Sequence, residues 1–243
     1  MSGRGVSAAG ASAQARYRAI RVGQRQERIV ARLALSGVLG SMTAGLFGWL
    51  PGLSAGVVLL VAHTLYIRFK PDALTRWRRG AAAERRTGRH LSRLDPAYFH
   101  VLHDRALPGA SRVNLDHLVI GLTGVYAIAS RRWPPFIRLR ADDRLWAGRR
   151  PVTRLLAMAE RVASTVAERL ADELDHDVGV SAIIAVHGTR LPHAGILFDG
   201  VALHRARRVH RLIERQPEVF SSAQVAAIAA LAERILPPMI DVS

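Results

Sequence analysis

Residues 113–130, VNLDHLVIGLTGVYAIAS, decide how the rest of the chain is read. VNLDHLVIG (113–121) alternates enough to be a strand, Thr123-Gly124 is a turn signal, and VYAIAS (125–130) is a second strand. Upstream, YFHVLHD (98–104) reads as a strand, and PGASR (108–112) turns the chain into the next one. Before it, RGAAAERRTGRHLSRL (79–94) has the pattern of an exposed basic helix with Ala82, Leu91 and Leu94 facing inward. Downstream, residues 134–150 hold prolines, arginines and the Asp142-Asp143 pair, and read as a hairpin or loop. Residues 152–174 form a long amphipathic helix whose apolar face is Leu155, Leu156, Val162, Val166, Leu170 and Leu174. VSAIIAVHG (180–188) is a buried strand, and GILFDGVALHR (195–205) is a strand or short hairpin. Residues 207–215 and 222–236 are helices, the second capped by Ser221 or Ser222. The order predicts an α/β domain with a mixed sheet.

Ahead of this domain, no residue from Leu33 to Ile67 carries a formal charge. One spanning helix needs roughly 20 apolar residues, so the run is long enough for two. Pro51-Gly52 near its middle is a turn signal. The expectation is a transmembrane helical hairpin over residues 33–69, with helices at 33–50 and 53–67. Arg16, Arg18, Arg21, Arg25, Arg28 and Arg32 precede it, and Arg68, Lys70, Arg76, Arg78 and Arg79 follow it. Basic flanks stay on the cytoplasmic side. Both termini and the main domain are therefore expected to be cytoplasmic, in a multi-pass protein of the cell membrane. Small residues recur at every fourth position: Gly37, Ser41, Gly45, then Gly48, Gly52, Gly56. That spacing suits close helix packing, although glycine is also common in membrane helices. Residues 1–32 read as a basic tail, disordered over about the first fifteen residues and able to form a surface helix beyond them.

Of the 243 residues, 35 are Lys or Arg and 19 are Asp or Glu, a net charge of +16. Such a balance favours a polyanionic partner, DNA, RNA or an anionic lipid bilayer. Lys70 is the sole lysine, and the absence of cysteine excludes disulfides, thiolate nucleophiles and cysteine-based zinc sites. There is no Walker-type loop, no GxGxxG after a strand and no GxSxG elbow.

Two carboxylates stand out: Glu84 within AAAERRTG and Asp116 mid-strand within NLDHL. A carboxylate inside an apolar strand is costly unless it is paired or metal-bound. Either Glu84 and Asp116 hold Mg²⁺ or Mn²⁺ for phosphodiester hydrolysis, or Asp116 caps a turn or pairs with an arginine such as Arg85. His103, His117, His187, His193, His204 and His210 form no recognised metal spacing. His117, beside Asp116, is the one to test.

GAAAERRTG, VLHDRALPG and VNLDHLVIGLTGVYAIASRRW follow one another in an order and spacing that resembles the nuclease-related domain, NERD, a branch of the PD-(D/E)xK nuclease superfamily. The resemblance covers residues 79–190 and implies an α-β-β-β-α-β core; residues 191–243 then read as a C-terminal strand and helical extension. Residue by residue, the resemblance places the helix glutamate at Glu84 and the strand aspartate at Asp116, with Asp116 as the metal ligand. It then expects an acidic residue, a spacer and a lysine, where this chain has Ala129-Ser130-Arg131. It also expects a glutamine where Met158 stands. The site Glu84, Asp116 and Arg131 is thus degenerate: arginine stabilises negative charge but transfers protons poorly. Asp142 or Asp143 is a candidate substitute carboxylate.

Three functions follow as expectations. The first is a membrane-anchored nuclease-related protein, catalytically impaired, that binds nucleic acid through Arg85, Arg86, Arg89, Arg131, Arg132 and Arg138. The second is a divergent active nuclease, and the third a membrane scaffold for a protein partner.

Overall fold

The computed structural model describes residues 9, 11–69, 73–107, 114–133, 137–139, 144–174 and 176–239. The PGASR turn, the Asp142-Asp143 pair and most of the tail predicted to be disordered lie outside them. The chain divides into two compact units, residues 13–78 and residues 79–243 with the first twelve.

The first unit contains two long helices, α1 (Ala11–Phe47) and α2 (Trp49–Phe69). Basic and apolar halves share α1 without a break. Within the pair, Ile29–Phe47 and Trp49–Tyr66 are each long and apolar enough to cross a membrane, and only 6% of each window is buried. Leu46, Phe47 and Trp49 are more than 70% exposed at the turn between them. The break falls at Gly48, not at Pro51-Gly52 as the sequence suggested. Gly48 takes φ +95°, a left-handed value open to glycine, and its N–H closes α1 on the Ala44 carbonyl at 3.0 Å. Pro51 then occupies the first turn of α2, where its missing N–H removes no helical bond.

The two helices touch through small residues, but in a different register from the predicted ladder. A Cβ on Gly40 would lie 3.1 Å from the Gly52 carbonyl, and one on Gly56 would lie 3.2 Å from the Ser36 carbonyl. A Cβ on Gly52 would run into Ala44. Gly37 and Gly45 have open space around them. The packed row on α1 is therefore Ser36–Gly40–Ala44, one position before Gly37–Ser41–Gly45.

The second unit is the α/β domain. After α3 (Ala73–Leu91) come strands β1 (Phe99–Ala106), β2 (Asn114–Gly121) and β3 (Gly124–Arg132). A small antiparallel sheet of β4 (Ile137–Leu139), β5 (Leu145–Ala147) and β6 (Arg150–Pro151) resolves the region expected to be a hairpin or loop. Then follow α4 (Thr153–Leu174), β7 (Val180–His187), β8 (Ile196–Phe198) and β9 (Val201–Arg205). A 3-10 turn (Ala206–Arg208), α5 (Val209–Glu214) and α6 (Ser222–Ile235) complete the order.

The six-stranded sheet runs β1-β2-β3-β7-β9-β8. β1, β2 and β3 form an antiparallel meander; β3–β7 and β7–β9 are parallel; β8 is antiparallel to β9. Alternation sorts side chains to two faces. Leu118, Ile120, Val125, Ala127, Ile184, Val186 and Leu203 pack with α4 and α6. Val119, Tyr126, Ile128, Ile183 and Ala185 pack with Leu91, Leu94, Val209 and Ile213 on the other face.

Residues 191–239, in the stretch 191–243 read as an extension, pack into this core. β7 buries Ala182 through Val186 without alternation, the pattern of an interior strand covered on both faces, so it needs a partner on each side. β9 is the second partner. α6 starts with a capping box between Ser221 and Gln224 and buries Val225, Ile228, Leu231 and Ala232 in the core. Beyond it, the Pro237 carbonyl accepts the Ala106 N–H at 2.8 Å.

Candidate functional site

The β2–β3 ladder has its last paired residues at His117 and Ile128. There the Asp116 side chain replaces the backbone acceptor: its Oδ2 takes the Ser130 N–H at 2.7 Å. The same oxygen accepts from Arg131 Nη1 at 3.0 Å, and Nη1 also donates to the Ser130 carbonyl at 2.7 Å. Asp116 is 5% exposed and Arg131 33%. Burial pushes the Asp116 carboxyl up, while the guanidinium and the Ser130 N–H pull it back. A cavity of about 110 Å³ opens where the strands part, between β2, β3 and α4. Asp116, Ala129, Arg131 and Met158 line it together. The fold thus brings Ala129, Arg131 and Met158, from two separate stretches, to one place beside Asp116.

Glu84, on α3, is also buried. Burial, then Asp116 and Asp104, push its carboxyl up to about 8, against the pull of Arg131 and Arg85. Asp104 is a third carboxylate that the sequence reading passed over. It lies in β1 between the His103–His117 and Arg105–Leu115 pairs, across from Asp116. Its backbone is left-handed at φ +51°, and Asn114 Nδ2 lies 3.5 Å from its Oδ1. The signal was present in VLHDR, where an acid ends an otherwise regular strand. Among the described residues, no three acidic or imidazole side chains converge as a cation ligand set. With Arg131 and Ser130 on Asp116 Oδ2, the donors do not match the oxygen-rich octahedral shell of Mg²⁺.

On the opposite face of the sheet a buried polar chain links β1, β2, β3, α3 and β7. His103 Nδ1 and His117 Nδ1 are 2.8 Å apart, and His117 Nε2 is 3.2 Å from Ser130 Oγ. Ser130 Oγ donates to Thr87 Oγ1 at 2.8 Å, which lies 2.9 Å from His187 Nε2. The Thr87 hydroxyl donates to the Ala83 carbonyl at 3.2 Å. Donor counting orders the protons. Ser130 gives its proton to Thr87, so His117 must donate from Nε2. His117 Nδ1 then accepts, and His103 donates from Nδ1. Thr87 gives its proton to Ala83, so His187 donates from Nε2. Burial is the chief cause that pushes all three imidazoles down: His103 down, His117 well down, and His187 to about 4.

Of the predicted phosphate contacts, Arg85, Arg86 and Arg89 sit on the exposed side of α3, and Arg132 is exposed at the end of β3. Arg86 and Arg132 both help push the His187 imidazole down. Arg138 belongs to β4, and its side chain lies outside the described residues. The sequence reading missed His90, Arg190, Arg205 and Arg207, which with His187 line a second cavity. The signal available was the GTR run that follows a buried parallel strand, since ligands gather at the carboxyl ends of such strands.

Residues 79–187 match the family described as NERD, nuclease-related domain. No curated protein and no solved structure matches the chain significantly. The α-β-β-β-α-β core, the aspartate on the second strand and this match agree on one conclusion: the chain carries a nuclease-related domain over residues 79–187.

Proposed function

We propose that this protein is anchored in the cell membrane by α1 and α2, and that its nuclease-related domain binds nucleic acid at the cytoplasmic face without efficient cleavage. The Arg131–Asp116 contact carries this reading. A guanidinium 3.0 Å from the carboxylate occupies one of its oxygens, and Ala129 supplies no second carboxylate. A guanidinium at the lysine position still attracts phosphate, but it transfers protons poorly and so activates no water. Arg85, Arg86, Arg89 and Arg132 extend the positive surface along α3 and the end of β3. Arginine-rich flanks on both sides of the apolar pair support the cytoplasmic placement.

The test uses the full chain in detergent micelles or nanodiscs. Labelled DNA and RNA are incubated with Mg²⁺ or Mn²⁺, beside an Asp116→Ala control, and binding is titrated at several salt concentrations. Salt-steep binding without cleavage is the expected result. Metal-dependent cleavage that vanishes in the control would establish an active nuclease instead. Absence of any nucleic-acid affinity would leave the scaffold role.

A further inference from the structure

The second cavity, of about 540 Å³, opens at the carboxyl ends of β7 and β9. It is lined by His90 of α3, by His187, Gly188, Thr189 and Arg190, and by Arg205, Ala206 and Arg207. None of these is acidic, and three are arginines. It is separate in lining from the Asp116 cavity, with which it shares no residue.

Three of its lining residues carry a buried polar atom with no hydrogen-bond partner: His90 Nδ1, Thr189 Oγ1 and Arg205 Nε. Buried polar atoms without partners are uncommon and costly in native proteins. Three such atoms belong to residues that line this one cavity. The Arg205 guanidinium is oriented from its other end, where Nη2 donates to the Leu191 carbonyl. Gly188 shapes the rim. It takes φ +84°, and a Cβ there would come within 2.8 Å of the Trp133 carbonyl. The local field is positive: the arginines that shift His187, Arg86 and Arg132, both lower its affinity for a proton.

We infer that this cavity is a binding site for a phosphomonoester, the terminal phosphate of a nucleotide or of a nucleic-acid end. A recess ringed by arginines suits a compact dianion better than an internal phosphodiester, which carries one charge and must pass through. The volume lies within the roughly 300–1,000 Å³ of small-ligand sites, so part of the attached sugar enters with the phosphate. The lining offers no Trp, Tyr or Phe for base stacking. Recognition is thus of phosphate, not of base.

The test is calorimetric titration of the full chain in detergent with inorganic phosphate, AMP, adenosine and a short oligonucleotide bearing either a terminal phosphate or a terminal hydroxyl. Phosphate-bearing probes are expected to bind, and adenosine is not. Arg190→Gln and Arg207→Gln, both exposed positions, are expected to weaken AMP binding about tenfold each. Thr189→Val weakens it less, and Arg169→Gln on α4 leaves it unchanged. Preference for AMP identifies a free nucleotide as the source, and preference for the phosphorylated oligonucleotide identifies a nucleic-acid end. Equal binding of AMP and adenosine, or unaltered AMP binding in both arginine variants, overturns the inference. Retained AMP binding in a protein with no affinity for the hydroxyl oligonucleotide would overturn general nucleic-acid binding and leave this site standing.

Discussion

Arg131 Nη1 lies 3.0 Å from Asp116 Oδ2, on the oxygen that also takes the Ser130 N–H. Asp116 is buried on β2, and its counter-ion comes from the end of the neighbouring strand. A charge pair of this kind does more when one partner is removed than its net worth suggests, because the survivor is left buried and alone. Arg131→Ala is expected to destabilise the domain by about 2 kcal/mol near neutral pH, below the roughly 3–5 of a fully buried pair because a third of Arg131 meets solvent. Burial already pushes the Asp116 carboxyl up, so the loss shrinks in acid, where Asp116 takes a proton. Denaturant unfolding at two pH values, with Asp116→Asn as the second arm of a double-mutant cycle, measures both effects.

Installing the pair that the resemblance expects tests the proposed impairment. Ala129→Glu with Arg131→Lys places a second carboxylate and an amine in the cavity that Asp116 already lines. Mn²⁺-dependent DNA cleavage is expected to rise at least tenfold over the parent's background in a gel assay, and Asp116→Asn is expected to remove it. An inert double variant would place the defect in Met158 or Glu84 instead.

Glu84 makes stability depend on pH. Its carboxyl is raised from an ordinary 4.5 to about 8. Between those values the folded state keeps a proton that the unfolded chain has lost, so stability falls as pH rises through this window. The contribution is on the order of a few kcal/mol between its ends. Glu84→Gln is expected to flatten this part of the profile and to gain on the parent most at the alkaline end. Melting curves from pH about 5 to about 8 read this directly.

Thr87 joins the buried polar chain at its middle. Its hydroxyl oxygen takes a proton from Ser130 and lies 2.9 Å from His187 Nε2, and its own proton goes to Ala83. Thr87→Val keeps the shape and removes the acceptor of the buried Ser130 hydroxyl, at about 1–3 kcal/mol. Thr87→Ser is expected to restore most of it. Thermal unfolding of the three proteins compares them.

The register of α1 against α2 is checked with cysteines, since the chain has none of its own. Ser36→Cys with Gly56→Cys is expected to cross-link readily under oxidation, because a Cβ on Gly56 would stand 3.2 Å from the Ser36 carbonyl. Gly37→Cys with Gly56→Cys is expected to cross-link poorly. Adding Gly52→Ile should separate the helices and suppress the first cross-link. Gel mobility with and without reductant shows the outcome.

Much of the fold follows from short-range pattern. Alternation in VNLDHLVIG, the Thr123-Gly124 turn and the apolar run of VSAIIAVHG are local consequences of a two-residue strand repeat and of burial on one or both faces. Ser221 reads as a cap because its partner Gln224 is three residues away. These features were legible because the groups that cause them are neighbours in sequence. The hairpin turn was legible only in part: Pro51 attracts notice as a breaker, yet a proline in a first turn breaks nothing, and the left-handed residue is Gly48.

By itself the sequence determined that two charge-free helical runs precede a basic α/β domain and that Glu84 and Asp116 are its conspicuous acids; the resemblance it carries set Ala129 and Arg131 against an expected acid and lysine. Only the tertiary structure decided what those residues do to one another. Strand pairing set Arg131 on Asp116 and placed Asp104 opposite it; close packing of α1 on α2 chose Ser36–Gly40–Ala44 over the predicted ladder. It also drew His90, His187, Arg190, Arg205 and Arg207 from three separate stretches to one cavity. The physical reason is range: propensity and periodicity act over a few residues, whereas a buried charge finds its partner across a sheet.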